Sequence, residues 1–232
     1  MRLVRGRAAT PTADRSATAT ILGRTAESRE PALRVWTPHR QVAFGRRDAN
    51  EEGYDAAREA ARVRGFTPTE RSVGGRAVAY TGTTLAFEHA RPIDDLRQGL
   101  SERYDDATTT VQQALAGLGV DATAGEPPNA FCPGSHSLQA DGKIVGIAQR
   151  VRSGAALVSG IVVVDNRAAI REVLDPVYDA LGVPFDPHSV GSVAGAGGPA
   201  EPGAVARALE DAFVGDETRS VLSVGEFVDA ED

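Results

Sequence analysis

Residues 136–165 leave no room for a helix between strands. In HSLQADGKIVGIAQRV, two apolar segments flank Asp141-Gly142, a favoured hairpin turn, with Lys143 just past it. AALVSGIVVVD follows as a continuous apolar run, the pattern of a strand buried on both faces. Strands clustered in hairpins exclude strict strand–helix alternation. The expected fold is one α/β (α+β) domain with a mixed, largely antiparallel sheet flanked by helices.

The rest of the chain fits that plan. A helix is expected from Thr12–Asp14 through RSATATILGRTAE, then short strands Leu33–Trp36 and Gln41–Gly45 around a Pro38 turn. NEEGYDAAREAARVRGF reads as a helix with Asn50 as N-cap and Gly65 as its stop. TPTERSVGGRAVAYTGTTLAFEHA is strand, glycine loop and long strand. Leu100, Tyr104, Val111, Leu115 and Leu118 recur at helical spacing, predicting an amphipathic helix over 94–119. DATAGEPPNAFCPGS is a Pro/Gly loop, and NRAAIREVLDPVYDALG is a helix. GSVAGAGGPAEPG reads as a linker before a short helix, Ala204–Val214.

Charge narrows the function. A formal net charge of −7 and a pI near 5.2 argue against sequence-independent nucleic-acid binding, which needs a basic surface. No apolar stretch reaches the length of a membrane span, and the basic N-terminus lacks a hydrophobic signal core. The cytoplasm is therefore the expected compartment, with neither nucleic acid nor membrane as a partner. One cysteine excludes an intrachain disulfide framework, and four scattered histidines offer no paired metal ligands, so no metal site is expected.

Lys143 is the only lysine among 25 Lys and Arg residues. A GC-rich genome or a high-salt cytoplasm could remove lysine elsewhere, but neither requires retaining this one. An ammonium is a compact point charge that can sit among several oxygens, where a guanidinium needs side-on geometry. In RSVGGRAVAY, Gly74 and Gly75 allow positive φ and close backbone approach, and Arg71 and Arg76 flank them. The loop suits a carboxylate or phosphate, although a plain β-turn has the same signature. Cys132 lies in the Pro/Gly loop four residues before His136. It is a candidate nucleophile, though most free cysteines are small buried apolar residues.

Three stretches, AFGRRD at 43–48, RSVGGRAV at 71–78 and GKIVGIAQR at 142–150, occur in the order and spacing found in the biotin/lipoate A/B protein ligase family, especially the lipoate–protein ligases. The chain resembles that family over about residues 12 to 182. The resemblance implies a class II aminoacyl-tRNA synthetase/biotin ligase-like catalytic domain over 1–190. Residues 191–232 would then be a linker and short helical tail without an accessory domain. It also implies activation of lipoate or octanoate with ATP and Mg2+ to the acyl-adenylate, then transfer to a lysine of a lipoyl domain. Acceptors would be lipoyl domains of 2-oxoacid dehydrogenase complexes or the glycine cleavage H protein, and a separate accessory subunit is a further implied partner. Lys143 would contact carboxyl and phosphate oxygens. Arg71, Gly74, Gly75 and Arg76 would hold the carboxylate and adenylate phosphate. Gly146 and Ala148 would leave space for the ligand, and the strand through Val78 would wall an acyl tunnel.

The chain departs from the family in two places. Arg76 and Tyr80 replace a glycine and a histidine common after the glycine pair, and LVSGI replaces LQHGS. Related octanoyl- or lipoyl-transferases use a cysteine thioester instead of ATP, and Cys132 lies close to where one branch carries its nucleophile. A Cys132-dependent transferase is therefore the alternative to the ligase, and a non-catalytic acyl-binding member of the family is the third reading.

Overall fold

The structure, a computed structural model, describes residues 1–71 and 74–229; Ser72 and Val73 of the glycine-loop motif and the last three residues of the tail lie outside it. The chain opens with strand β1 (Arg2–Arg5) and helix α1 (Pro11–Ser28). Thr10 caps α1 by accepting the Ala13 N–H, and Pro11, which has no N–H to satisfy, takes the first turn. Strands β2 (Ala32–Trp36) and β3 (Gln41–Phe44) follow, then helix α2 (Tyr54–Val63) and strands β4 (Thr67–Glu70), β5 (Val78–Tyr80) and β6 (Thr84–Pro92). Helix α3 (Leu100–Ala116) leads through β7 (Thr123–Ala124) to the expected hairpins: β8 (Ser137–Gln139), β9 (Lys143–Arg152) and β10 (Ala155–Val163). Helices α4 (Arg167–Ala180) and α5 (Pro202–Val214), strand β11 (Ser220–Ser223) and helix α6 (Val224–Asp229) complete the described chain.

Eight strands form one sheet in the order β11-β1-β2-β6-β10-β9-β8-β7, and β4-β3-β5 form a second. In the large sheet only the β1 pairings, with β2 and β11, are parallel. The mixed, mostly antiparallel fold follows from the hairpin pattern. Alternation sorts the large sheet's faces. Phe87, Val145 and Val162 join α3 and α5 on one side. On the other, Ala155 and Leu157 pack under α1, while Ile161 and Val163 pack with α2, α4 and the small sheet. The sequence motifs meet where the glycine loop, the loop carrying Cys132 and the start of β9 come together.

Several expectations are corrected. The helix expected to be capped by Asn50 begins at Tyr54, with Gly53 at its N-cap; Asp48–Asn50 form a separate 3₁₀ turn. A Cβ on Gly53 would stand 1.7 Å from the Ala180 carbonyl oxygen, so the start of α2 is set by its approach to α4. The helix expected over 94–119 begins at Leu100, because Asp95 takes Arg97 and Gln98 into a turn and Gly99 is left-handed. The Asp141-Gly142 turn is widened by an irregularity at Leu138/Gln139. The segment read as a linker is packed: Val193 and Ala194 donate to the Val163 and Val164 carbonyls, and Val193 is fully buried. Beyond it, α5 covers the sheet and β11 extends its edge.

Candidate active site

Gly45 explains the first motif. A Cβ there would lie 2.0 Å from the Gly75 carbonyl oxygen, so glycine lets β3 end directly against the glycine loop. Buried Asp48 accepts the Gly45 N–H at 2.9 Å and pairs with Arg76 at 3.3 Å. Arg76 also meets Glu51 at 2.6 Å. Its charge is committed to pinning the loop.

Gly75 adopts φ +95°, and a Cβ there would lie 2.9 Å from Cys132 Sγ. The glycine loop and the cysteine loop are therefore in contact. Arg71 sits between them, its Nη2 2.5 Å from the Arg76 carbonyl oxygen and 3.7 Å from Cys132 Sγ, while its buried Nε has no partner. Burial works against the Arg71 charge, but nearby Cys132 and Tyr80 outweigh it and its pKa is raised. No carboxylate faces this guanidinium among the described contacts, so it can serve an incoming anion or a developing oxyanion.

Cys132 is half-buried and held in the left-handed region at φ +42°. Two side chains fix that conformation. Tyr178 accepts the Cys132 N–H at 2.6 Å and donates to the Ala77 carbonyl at 2.9 Å, and Lys143 donates to the Cys132 carbonyl at 2.9 Å. Lys143, the first residue of β9, is buried with its side chain 1% exposed. Its ammonium also reaches the Phe131 carbonyl at 3.0 Å and both oxygens of Glu126 at 2.9 and 3.1 Å. It is a point charge among several oxygens, all belonging to the chain itself.

Gly146 is half-buried on β9, and a Cβ there would lie 3.4 Å from Lys143 Cε. Ala148, two residues on, is exposed. Val78, on β5, is buried in the core shared by the small sheet and α4. His136 stacks on Tyr104 of α3, with ring centroids 3.7 Å apart, and has no hydrogen bond to Cys132. Among the described residues, no group of three or more His, Cys, Asp and Glu side chains is placed to hold a metal ion.

The structure brings together Arg71, Gly75, Cys132 and Lys143, each singled out separately in the sequence, with Glu126, Tyr178 and Asp48, which were not. Glu126 had one available signal: it is an acid in the same Pro/Gly loop as Cys132 and precedes the only lysine.

The family to which these residues match is one of enzymes of the ligase or transferase kind. The lipoyl protein ligase A/B catalytic domain matches residues 14–213, and the chain belongs to that family. Solved structures agree in fold. A crystal structure of lipoate-protein ligase A bound with ATP is 22% identical, with TM-score 0.77 over 97% of this chain and 91% of that one. The T. acidophilum protein Ta0514 with bound lipoic acid is 22% identical, with TM-score 0.72 over 96% and 88%. A bipartite lipoate protein ligase of Thermoplasma acidophilum, studied with its E2 lipoyl domain, is 19% identical, with TM-score 0.70 over 97% and 89%. No curated protein matches the chain in sequence.

Proposed function

We propose that the protein transfers an octanoyl or lipoyl group to a lysine of a lipoyl domain, and that the group passes through a thioester on Cys132. The observation that carries this reading is the placement of Cys132 Sγ at 3.7 Å from Arg71, on a backbone held by Lys143 and Tyr178. Because Glu126 already compensates the Lys143 charge, the lysine suits fixing the nucleophile's loop while a neutral thioester is bound.

Transfer balances without ATP. The Cys132 sulfur gives up its proton and attacks the carbonyl carbon of a carrier-bound acyl thioester; the carbon–sulfur bond to the carrier breaks, and the carrier leaves as its thiol by taking up that proton. Arg71 stands by to stabilise the oxyanion formed on attack. The lipoyl-domain lysine amine then attacks the enzyme thioester. An amide forms, the Cys132 carbon–sulfur bond breaks, and the proton lost by the amine returns to sulfur.

ATP-dependent ligation is the second reading. It is favoured by the Arg71 guanidinium, which lacks a carboxylate partner beside Gly74 and Gly75, and by the related fold that binds ATP. These residues suit a phosphate or the carboxylate of lipoate, and ATP would supply the activation. The two readings separate when a lipoyl domain is incubated with octanoyl-carrier thioester alone or with free lipoate, ATP and Mg2+. Acylation by the thioester without ATP supports the Cys132 route; acylation only with ATP overturns it in favour of the ligase.

A further inference from the structure

Tyr80 stands where the family commonly has a histidine, and the thioester route described above gives it no task. It ends β5, and strand register fixes which way it faces. Gln41 of β3 stands opposite Thr67 of β4 and Tyr80 of β5, and Ala43 stands opposite Thr69 and Val78. The Arg71 N–H donates to the Phe44 carbonyl at 2.8 Å, which carries the β3–β4 ladder one residue further. Side chains alternate along each strand, so Thr69, Arg71 and Tyr80 share one face of the small sheet. Thr69 donates to Gln41 Oε1 at 2.9 Å on that face. The opposite face carries Phe44 and Glu70, which both meet Tyr54 of α2. Arg71 and Tyr80 therefore face away from α2, on the side where Arg71 approaches Cys132.

Two tyrosines lie near enough to Cys132 to feel its charge, and they are differently occupied. The Tyr178 hydroxyl is engaged between the Cys132 N–H and the Ala77 carbonyl. The Tyr80 hydroxyl makes no hydrogen bond among the described residues, and its side chain is half-buried instead of sealed in the core. Cys132 and Tyr80 are the two groups whose charge acts most strongly on Arg71, and Arg71 and Cys132 in turn act on Tyr80. The three side chains form one polar cluster. Burial raises the Tyr80 phenol above its ordinary value, so it holds its proton at neutral pH and suits a donor's role instead of a base's. Arg71 spends Nη2 on the Arg76 carbonyl, which leaves work for a second donor beside the thiol.

We propose that the Tyr80 hydroxyl is a catalytic hydrogen-bond donor to the acyl carbonyl oxygen, sharing with Arg71 the negative charge that develops when Cys132 attacks. The inference rests on the reading of Cys132 as the acyl carrier. As the bond from Cys132 sulfur to carbon forms, the carbonyl π pair moves onto oxygen. Tyr80 donates a hydrogen bond to that oxygen and keeps its proton, and the pair returns as the carbon–sulfur bond to the carrier breaks.

Single-turnover acylation of wild type and Tyr80→Phe by an octanoyl-carrier thioester, followed by intact mass, tests the proposal. The ring stays and only the hydroxyl goes. The maximal acylation rate is expected to fall about tenfold or more, with the half-saturating thioester concentration within about twofold of wild type. Alkylation of Cys132, the only thiol of the chain, by iodoacetamide is the control. It displaces iodide from a saturated carbon and develops no oxyanion, so its rate should be unchanged. A maximal acylation rate within about twofold of wild type, at unchanged half-saturation, overturns the proposal and leaves the Cys132 thioester standing. A raised half-saturation at an unchanged maximal rate overturns it too, as does alkylation slowed as much as acylation, because Tyr80 would then serve binding or loop packing. A wild type that forms no thioester overturns both this proposal and the function on which it rests.

Discussion

Both carboxylate oxygens of Glu126 lie within hydrogen-bonding distance of Lys143 Nζ, at 2.9 and 3.1 Å, and the lysine side chain is 1% exposed. Removing one member of such a pair leaves a buried charge uncompensated. Glu126→Ala is expected to lower unfolding stability by about 3 kcal/mol, measured as a shift of the urea midpoint at constant slope. A midpoint within error of wild type would show the pair to be dispensable.

Lys143→Arg should be nearly as damaging to acyl transfer as Lys143→Ala. The ammonium serves the Phe131 and Cys132 carbonyls and Glu126 from one point, and a planar fork cannot. Without it, the left-handed backbone at Cys132 loses an anchor. Both variants should lose at least about tenfold in transfer rate, equivalent to about 1.4 kcal/mol. An arginine variant within about twofold of wild type would contradict the point-charge account.

Glu88 sets a pH dependence of stability. Its folded pKa of about 7 stands above the ordinary 4.5 because of burial. The stability it contributes is therefore fully present below pH 4.5 and is lost as pH rises through about 7. His89, next to it, runs the opposite way: burial lowers it from 6.5 to about 4, so its contribution is present above 6.5 and lost as pH falls through 4. Glu88→Gln should thus gain on wild type by up to about 3 kcal/mol between pH 4.5 and 8. Melting curves across that range check this, and a pH-independent difference would refute the buried-acid assignment.

The fold was legible where local pattern decides it. Apolar runs and an Asp-Gly turn define the β8–β9–β10 arrangement, and Lys143 starts β9, while Arg71 and Gly75 lie between β4 and β5 and Cys132 lies in the loop before β8. Composition misled at residues 191–203. Glycine there permits close packing instead of freedom: a Cβ on Gly191 would stand 2.7 Å from the Gly142 carbonyl oxygen, and one on Gly198 would stand 2.5 Å from a Val120 methyl. Long-range polar pairing was not legible. Arg34 interrupts an otherwise apolar strand, and only the return of α1 over it supplies Asp14. Glu126 likewise finds Lys143 only once the Pro/Gly loop folds back across the hairpin.

The central claim is that Cys132 carries the acyl group. Intact-protein and peptide mass spectra after incubation with an octanoyl-carrier thioester, for wild type and Cys132→Ser, test it most directly. The account predicts one octanoyl group on the wild-type peptide containing residue 132, released by hydroxylamine and by a lipoyl-domain acceptor. It predicts no adduct and no transfer by a folded Cys132→Ser protein. An unmodified wild type, together with a Cys132→Ser protein that acylates the lipoyl domain at an undiminished rate, would contradict it.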